Sequence, residues 1–375
     1  MNNSFAQDFQ SFRVMCEETA RHESRRLVIV KPVWVFGAGH FGRDVCSILL
    51  GEGFDVQGFI ESKPRDERVI GLPVMTWSEL HADQLAAQLV VGIFNREMPL
   101  DQLQKLCESA GFTDIFMPWD VYSQFGKQLG WRFWLSAPSI ILESLSAIEK
   151  TYRSLADDIS RRCLLEICAF RLGCHTAYAG FSHADRQYFN DLTLKSAGDR
   201  SICYVDGGAY NGDTYFELSA HAEVNSAYLF EPDPDNFKAL VTRITTVSKP
   251  VVCMPLALAD CYQVMSFNGG NGEGGSILEN GMVHIATAAL DEMLMSHHID
   301  FIKLDIEGAE ILALRGSMGI IKRCRPILAI SIYHRPKDIC EIPELLEQLC
   351  DNYSFYIRQH FYNSFDSVLY AIPKH

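Results

Sequence analysis

An apolar strand that ends in Asp206 runs directly into Gly-Gly-Ala-Tyr-Asn-Gly, a short helical stretch follows, and a second strand, Ala-Tyr-Leu-Phe, ends in Glu231. This order of strand, glycine turn, helix and strand ending in an acid is half of a nucleoside-binding α/β unit. Gly207, Gly208 and Gly212 have no Cβ, so they suit a place where backbone must pass close to a ligand. Glu231 then stands where a carboxylate takes the hydroxyls of a ribose.

A second unit of the same kind lies nearer the amino terminus. The apolar run Val-Trp-Val-Phe leads into Gly37-Ala-Gly39-His-Phe-Gly42, a helical Arg-Asp-Val-Cys-Ser-Ile-Leu-Leu and a strand ending at Glu61. Here the glycines fit G-x-G-x-x-G, with the acid nineteen residues beyond Gly42. That spacing brings glycines to a pyrophosphate and an acid to a ribose. The turn after Asp206 does not fit this pattern: it has an acid at the strand end and its glycines are respaced.

At 375 residues the chain exceeds what one core usually serves. Alternating helix and strand patterns predict a small parallel sheet over residues 1–120, with a helix at Trp77–Leu85. A helical connector or lid is expected over 121–200, and a second sheet domain over 201–375. In the last of these, an insertion with two short strands flanks the glycine run 268–275, a candidate flap. Strands at 353–358 and 367–372 read as an antiparallel edge hairpin. The fold class is therefore α/β, two Rossmann-like parallel-sheet domains joined by helices.

The formal net charge is −14, with no extended basic cluster. This excludes the electrostatic footprint of nucleic-acid binding and disfavours anionic membranes. No run approaches the length of a membrane span, and the first residues show no secretory pattern. Twelve cysteines are scattered without metal-binding spacing, as reduced thiols in a cytoplasmic protein would be. The expected partner is a small molecule or glycan-type substrate, with a homo-oligomer possible.

Several segments recur in order: Asp206-Gly-Gly-Ala-Tyr-Asn-Gly-Asp-Thr, Phe230-Glu-Pro-Asp-Pro, Pro255-Leu-Ala-Leu-Ala-Asp260, Ala289-Leu-Asp-Glu-Met, Phe301-Ile-Lys-Leu-Asp-Ile-Glu-Gly-Ala-Glu310 and Leu314-Arg-Gly316. Together they resemble the FkbM family of S-adenosylmethionine-dependent methyltransferases over roughly residues 187 to 372. The resemblance implies a seven-stranded class I methyltransferase fold. It implies a loop of Asp206, Gly207, Gly208, Asn211 and Gly212 holding the methionine part of S-adenosyl-L-methionine. Glu231 would then take the ribose, and residues from Ala257 to Asp260 the adenine. The favoured reaction is O-methylation of a hydroxyl on a sugar, a glycan-related compound or another small metabolite.

Open α/β sheets keep their active crevice at the carboxyl ends of the strands. Asp305 ends one strand and is a candidate base, or the orienter of one. His334 ends the next and is a candidate acid-base partner or substrate orienter, and Glu310 lies in the intervening helix. The three would also make a divalent-metal set, although no compact spacing requires it, and the reading adopted has no metal. His360 and Tyr362 are candidates for the substrate side.

The first domain resembles the amino-terminal domain of bacterial sugar acyltransferases. A second nucleotide site at Gly37, Gly39, Gly42 and Glu61 is one reading of its turn, and a scaffold is the other. Two rival functions stay open: an NAD-dependent nucleotide-sugar oxidoreductase or epimerase working at the first turn, and a non-catalytic nucleotide-binding protein.

Overall fold

The computed structural model describes residues 8–21, 25–176, 185–268, 276–277 and 283–374. The glycine run proposed as a flap lies almost wholly outside them, over 269–275.

The first sheet contains β1 (Val33–Phe36), β2 (Val56–Ile60), β3 (Arg68–Val69), β4 (Leu72–Met75), β5 (Gln88–Val91) and β6 (Ile115–Phe116), in the order β3-β4-β2-β1-β5-β6. All neighbours are parallel except the β3–β4 hairpin. Every residue of β1 and β5 is buried, as expected of strands covered by helices on both faces. The helix expected over Trp77–Leu85 is instead two 3-10 turns, Trp77–Glu79 and Gln84–Ala86. Glu79 reaches back to the Thr76 N–H at 2.7 Å. That bond closes a capping box after a single turn, and Leu80 then swings to extended backbone.

Among the described residues, five helices lie between the two sheets: Pro118–Leu129, Ser139–Glu143, Leu145–Ser154, Asp158–Arg171 and Asp191–Ala197. Helix Asp158–Arg171 is capped by Asp157, whose Oδ1 accepts from the Ser160 N–H at 2.7 Å.

The second sheet contains β7 (Ile202–Gly207), β8 (Val224–Phe230) and β9 (Val251–Met254). After these come the short strands β10 (Ala257–Leu258), β11 (Gln263–Asn268), β12 (Ser276–Ile277) and β13 (Val283–Ala288), which pair among themselves as β10-β13-β11-β12. The main sheet resumes with β14 (Phe301–Leu304), β15 (Ile327–Ser331), β16 (Tyr353–Gln359) and β17 (Ser367–Pro373), in the order β16-β17-β15-β14-β7-β8-β9. Its strands are parallel except β17, which runs antiparallel to both neighbours. The chain reverses direction across the sheet between β7 and β14, so a crevice opens above their carboxyl ends.

β16 would be an open edge, and the connector covers it. The Ala156 N–H donates to Phe355 O at 2.8 Å, and Arg358 of β16 grips Asp157 at 2.6 Å. The tip of the β16–β17 hairpin reaches the other way, onto the segment that follows β5. Buried Asn363 accepts from the Leu100 N–H at 3.0 Å and donates to the carbonyls of Asn95 and Met98 at 2.8 and 2.7 Å. No helix among the described residues is long and apolar enough to cross a membrane.

Candidate functional site

A cavity of about 630 Å³ lies above the carboxyl ends of β7, β8 and β14. That volume is within the range of small-molecule sites. Gly208, Tyr210, Glu231, Leu256, Ala257 and Leu258 line one end. Asp305, Glu307, Tyr188 and Tyr333 line the middle. The far end is closed by Phe365 and by Phe94, Asn95, Arg96 and Phe133, which come from outside the second sheet.

Gly208 holds a φ of +74°, and a Cβ there would sit 1.9 Å from the Asp305 carbonyl oxygen. Glycine is thus demanded by the neighbouring strand as well as by any ligand. Tyr210 follows with φ +46° and donates its N–H to Glu231 Oε2 at 2.8 Å. Glu231 Oε1 accepts from the Asp233 N–H at 2.9 Å. Burial pushes the Glu231 carboxyl up to about 7, against the pull of those two N–H groups. It is an acid at the cavity wall that welcomes further hydrogen-bond donors.

Asp206 occupies a different place from the one its strand-end position suggests. It is fully buried and absent from the cavity wall. Lys303 Nζ lies 3.0 Å from its Oδ1, and the Thr214 hydroxyl donates to its Oδ2. Lys303 also donates to the carbonyls of Gly207 and Gly208, at 3.2 and 2.7 Å. The pair therefore shapes the glycine loop from beneath. Gly207 packs on Leu304 and Leu258, and Gly212 opens the next helix with φ +84°. The Asn211 side chain turns outward to accept from Arg243. Ala257 is on the wall, whereas Asp260 is exposed away from it.

Asp305 faces the cavity with 26% of its side chain exposed. The Tyr188 hydroxyl donates to its Oδ2 at 2.8 Å, and the Tyr333 hydroxyl to its Oδ1 at 3.4 Å. His334 Nε2 stands 3.3 Å from that same Oδ1, and Nδ1 stands 2.7 Å from Glu310 Oε1. Burial disfavours charge on the His334 ring, but the carboxylates of Glu310, Glu307 and Asp305 outweigh it and push the imidazole up to about 10. Burial likewise works to raise Asp305. The charges of His334 and Lys303 prevail and hold its carboxyl below the usual range.

Asp305, Glu310 and His334 offer ligand-type atoms within 4.8 Å of one another. The imidazole, however, stands between the two carboxylates, one on each ring nitrogen. This is an imidazolium clasped from both sides, not three donors converging on one ion. His334 and Glu310 are absent from the cavity wall. Glu310 Oε1 also accepts from the Ile306 N–H at 2.9 Å, which anchors the chain of contacts to the turn after β14.

His360 and Tyr362 do not line the cavity; His360 bonds the Tyr370 hydroxyl at 2.6 Å. Nor do Gly37, Gly39, Gly42 and Glu61. A Cβ at Gly37 would meet Ile93 at 2.4 Å, and one at Gly42 would meet the Gly37 carbonyl at 2.0 Å. Close packing of the first turn therefore accounts for both glycines without a ligand. Glu61 accepts from the Ala38 N–H at 2.6 Å, the same device by which Glu231 holds its own loop.

Residues 206–356 match the profile of the methyltransferase FkbM domain. The chain carries an FkbM methyltransferase domain. The whole chain is also similar in structure to the methyltransferase FkbM of Methylobacillus flagellatus KT, with a TM-score of 0.80 at 20% identity, covering 98% of this chain and all of that one. An rRNA methylase from Streptococcus thermophilus aligns over 49% of this chain and 92% of its own, at 16% identity and TM-score 0.33. A fibrillarin from Aeropyrum pernix with natively bound S-adenosyl-L-methionine aligns over 48% and 73%, at 12% identity and TM-score 0.31. No curated protein matches the sequence. The FkbM domain marks the protein as an S-adenosylmethionine-dependent methyltransferase.

Proposed function

We propose that this FkbM methyltransferase methylates a hydroxyl of a sugar, glycan-related compound or other small metabolite. The observation that carries this reading is the Asp305 carboxylate, which shares one cavity with the glycine loop and Glu231.

The cavity suits the cofactor. Gly208 presents bare backbone, Glu231 offers a carboxylate at the ribose position, and Leu256, Ala257 and Leu258 give an apolar seat for adenine. S-adenosyl-L-methionine supplies an electrophilic methyl group whose transfer discharges a sulfonium. The remaining work belongs to the protein: to align a nucleophile and receive its proton.

Asp305 is held ionised by its neighbours, so it is a weak base toward a free alcohol. An oxygen that is acquiring a methyl group becomes strongly acidic, and a weak carboxylate base then suffices. The Tyr188 and Tyr333 hydroxyls and the His334 imidazolium fix the carboxylate in orientation. His334 remains protonated throughout and acts as a positioning residue, with Glu310 behind it. The aromatic walls at the far end suit the apolar face of a sugar ring. All twelve cysteines are free thiols, which supports a reducing, cytoplasmic setting.

Calorimetry with S-adenosylhomocysteine should show a single tight site, and incubation with S-adenosylmethionine should add one methyl mass to a hydroxylated acceptor. Methylation only of amines or thiols across a mixed acceptor panel would overturn the hydroxyl reading.

A further inference from the structure

The cavity's far wall is made by residues that precede the methyltransferase domain in sequence. Phe94 and Arg96 lie in the loop after β5, and Phe133 lies in the turn that follows helix Pro118–Leu129. Their placement is specific. Phe133 holds a left-handed φ of +53°, a conformation that is costly for an aromatic residue and persists only where the surroundings impose it. Three contacts impose it here. The Trp131 indole donates to the His334 carbonyl at 2.8 Å, and the Phe133 ring packs on Phe365 at 5.3 Å and stacks on Tyr333 at 6.4 Å. Phe94 also packs on Phe365, at 5.2 Å. Phe94 and Phe133 are only half-buried, so this aromatic shelf keeps ring surface turned to the cavity. Asn363 clamps the backbone of the 95–98 loop, which fixes the position of Arg96.

We infer that the first domain and connector form the acceptor-recognition half of the active site, with Phe94, Arg96 and Phe133 as specificity-determining residues for a neutral, ring-bearing polyol. The inference rests on the hydroxyl-acceptor reading above and adds where the acceptor sits and what it is made of. The shelf covers the apolar face of a ring. Asp305 and Glu307 accept from its hydroxyls, and the Arg96 guanidinium, 3.6 Å from Asp366, donates at the opposite edge. Charge decides against an anionic acceptor. Among the described lining residues six are acids and two are cations, and one of the cations, Lys303, is committed to Asp206 and two carbonyls. Arg96 alone would have to offset the repulsion between an added anion and the carboxylates of Asp305 and Glu307.

Saturation-transfer NMR on the full chain with S-adenosylhomocysteine bound would test this, with neutral methyl glycosides and the matching methyl glycosiduronates as probes. Wild type should bind neutral glycosides at least tenfold more tightly than the uronates. Arg96→Ala and Phe133→Leu should each weaken glycoside binding at least tenfold while S-adenosylhomocysteine affinity, measured by calorimetry, stays within twofold. Glycoside binding unchanged in both variants would overturn the role of the first domain and leave the hydroxyl reading standing. Joint loss of glycoside and cofactor binding would assign these residues to folding and overturn it as well. Equal binding of uronates would overturn the neutral class. Wild type that binds S-adenosylhomocysteine but no glycoside would overturn the sugar reading itself.

Discussion

Lowering the pH from 8 to 6 should weaken S-adenosylhomocysteine binding about tenfold, and Glu231→Gln should remove that dependence. The Glu231 carboxyl is pushed up to about 7 in the free protein. If only the carboxylate accepts the ribose hydroxyls, apparent affinity falls about tenfold for each pH unit below the pKa. The stability of the free protein carries the same signature with the opposite sense from an ordinary ion-paired acid. The native state binds this proton more tightly than the unfolded chain, whose carboxyl titrates near its usual 4.5. Stability contributed by the protonated form is therefore present at low pH. About 3 kcal/mol of it is lost as pH rises from roughly 4.5 to 7. Glutamine keeps one acceptor for the Tyr210 and Asp233 N–H groups but not two. At pH 8 the variant should thus bind S-adenosylhomocysteine about 1.5 to 3 kcal/mol more weakly. Titration calorimetry at pH 6, 7 and 8, with urea unfolding of the free protein from pH 4.5 to 8, measures both effects. Flat wild-type affinity across that range, or the same slope in Glu231→Gln, would refute the assignment of this carboxylate to the ribose.

Asp305→Asn should lower kcat by roughly 10² to 10⁴ and leave S-adenosylhomocysteine affinity within about twofold, as single-turnover kinetics and calorimetry would show. His334→Gln removes a buried charge from between carboxylates. It should destabilise the fold by about 3 to 5 kcal/mol in denaturant titrations, and it should shift the acid limb of the kcat–pH profile upward, because Asp305 loses the cation that holds its carboxyl down. Lys303→Met leaves Asp206 buried without its ammonium. A loss of about 3 to 5 kcal/mol in chemical unfolding is expected, together with weaker cofactor binding as the carbonyls of Gly207 and Gly208 lose their donor.

The second sheet and its crevice were legible in the sequence, because strand, glycine turn, helix and terminal acid are contiguous there and each step is local. Glu231 and Asp305 were found by the same logic and do line the cavity. Asp206 shows where that logic fails. A strand-end acid reads as a ligand contact, but its partner Lys303 lies on a strand that is adjacent only in the folded sheet, so the burial of the pair leaves no local mark. His334 was legible by position, yet its charge state depends on three carboxylates gathered from the turn and helix after β14. Phe94, Arg96 and Phe133 were missed altogether. They reach the cavity through contacts with the β16–β17 tip more than two hundred residues away in sequence, and no periodicity records such a contact. At Gly37 the pattern left a nucleotide site and a scaffold both open, and tight packing alone calls for two of its glycines.

The grip of Asn363 on the loop after β5 bears on how this enzyme can be dissected. A fragment trimmed to the matched segment, residues 206–356, would end before that residue and before Phe365, and would omit β17, which sits between β15 and β16. Such a fragment would lose an internal strand of its sheet as well as the roof over Asp305. Water would then reach the Asp305 carboxylate freely. Swapping the front half between relatives, with the hairpin tip carried along as its matching piece, is the cut that leaves the crevice above β7, β8 and β14 whole while exchanging its far wall.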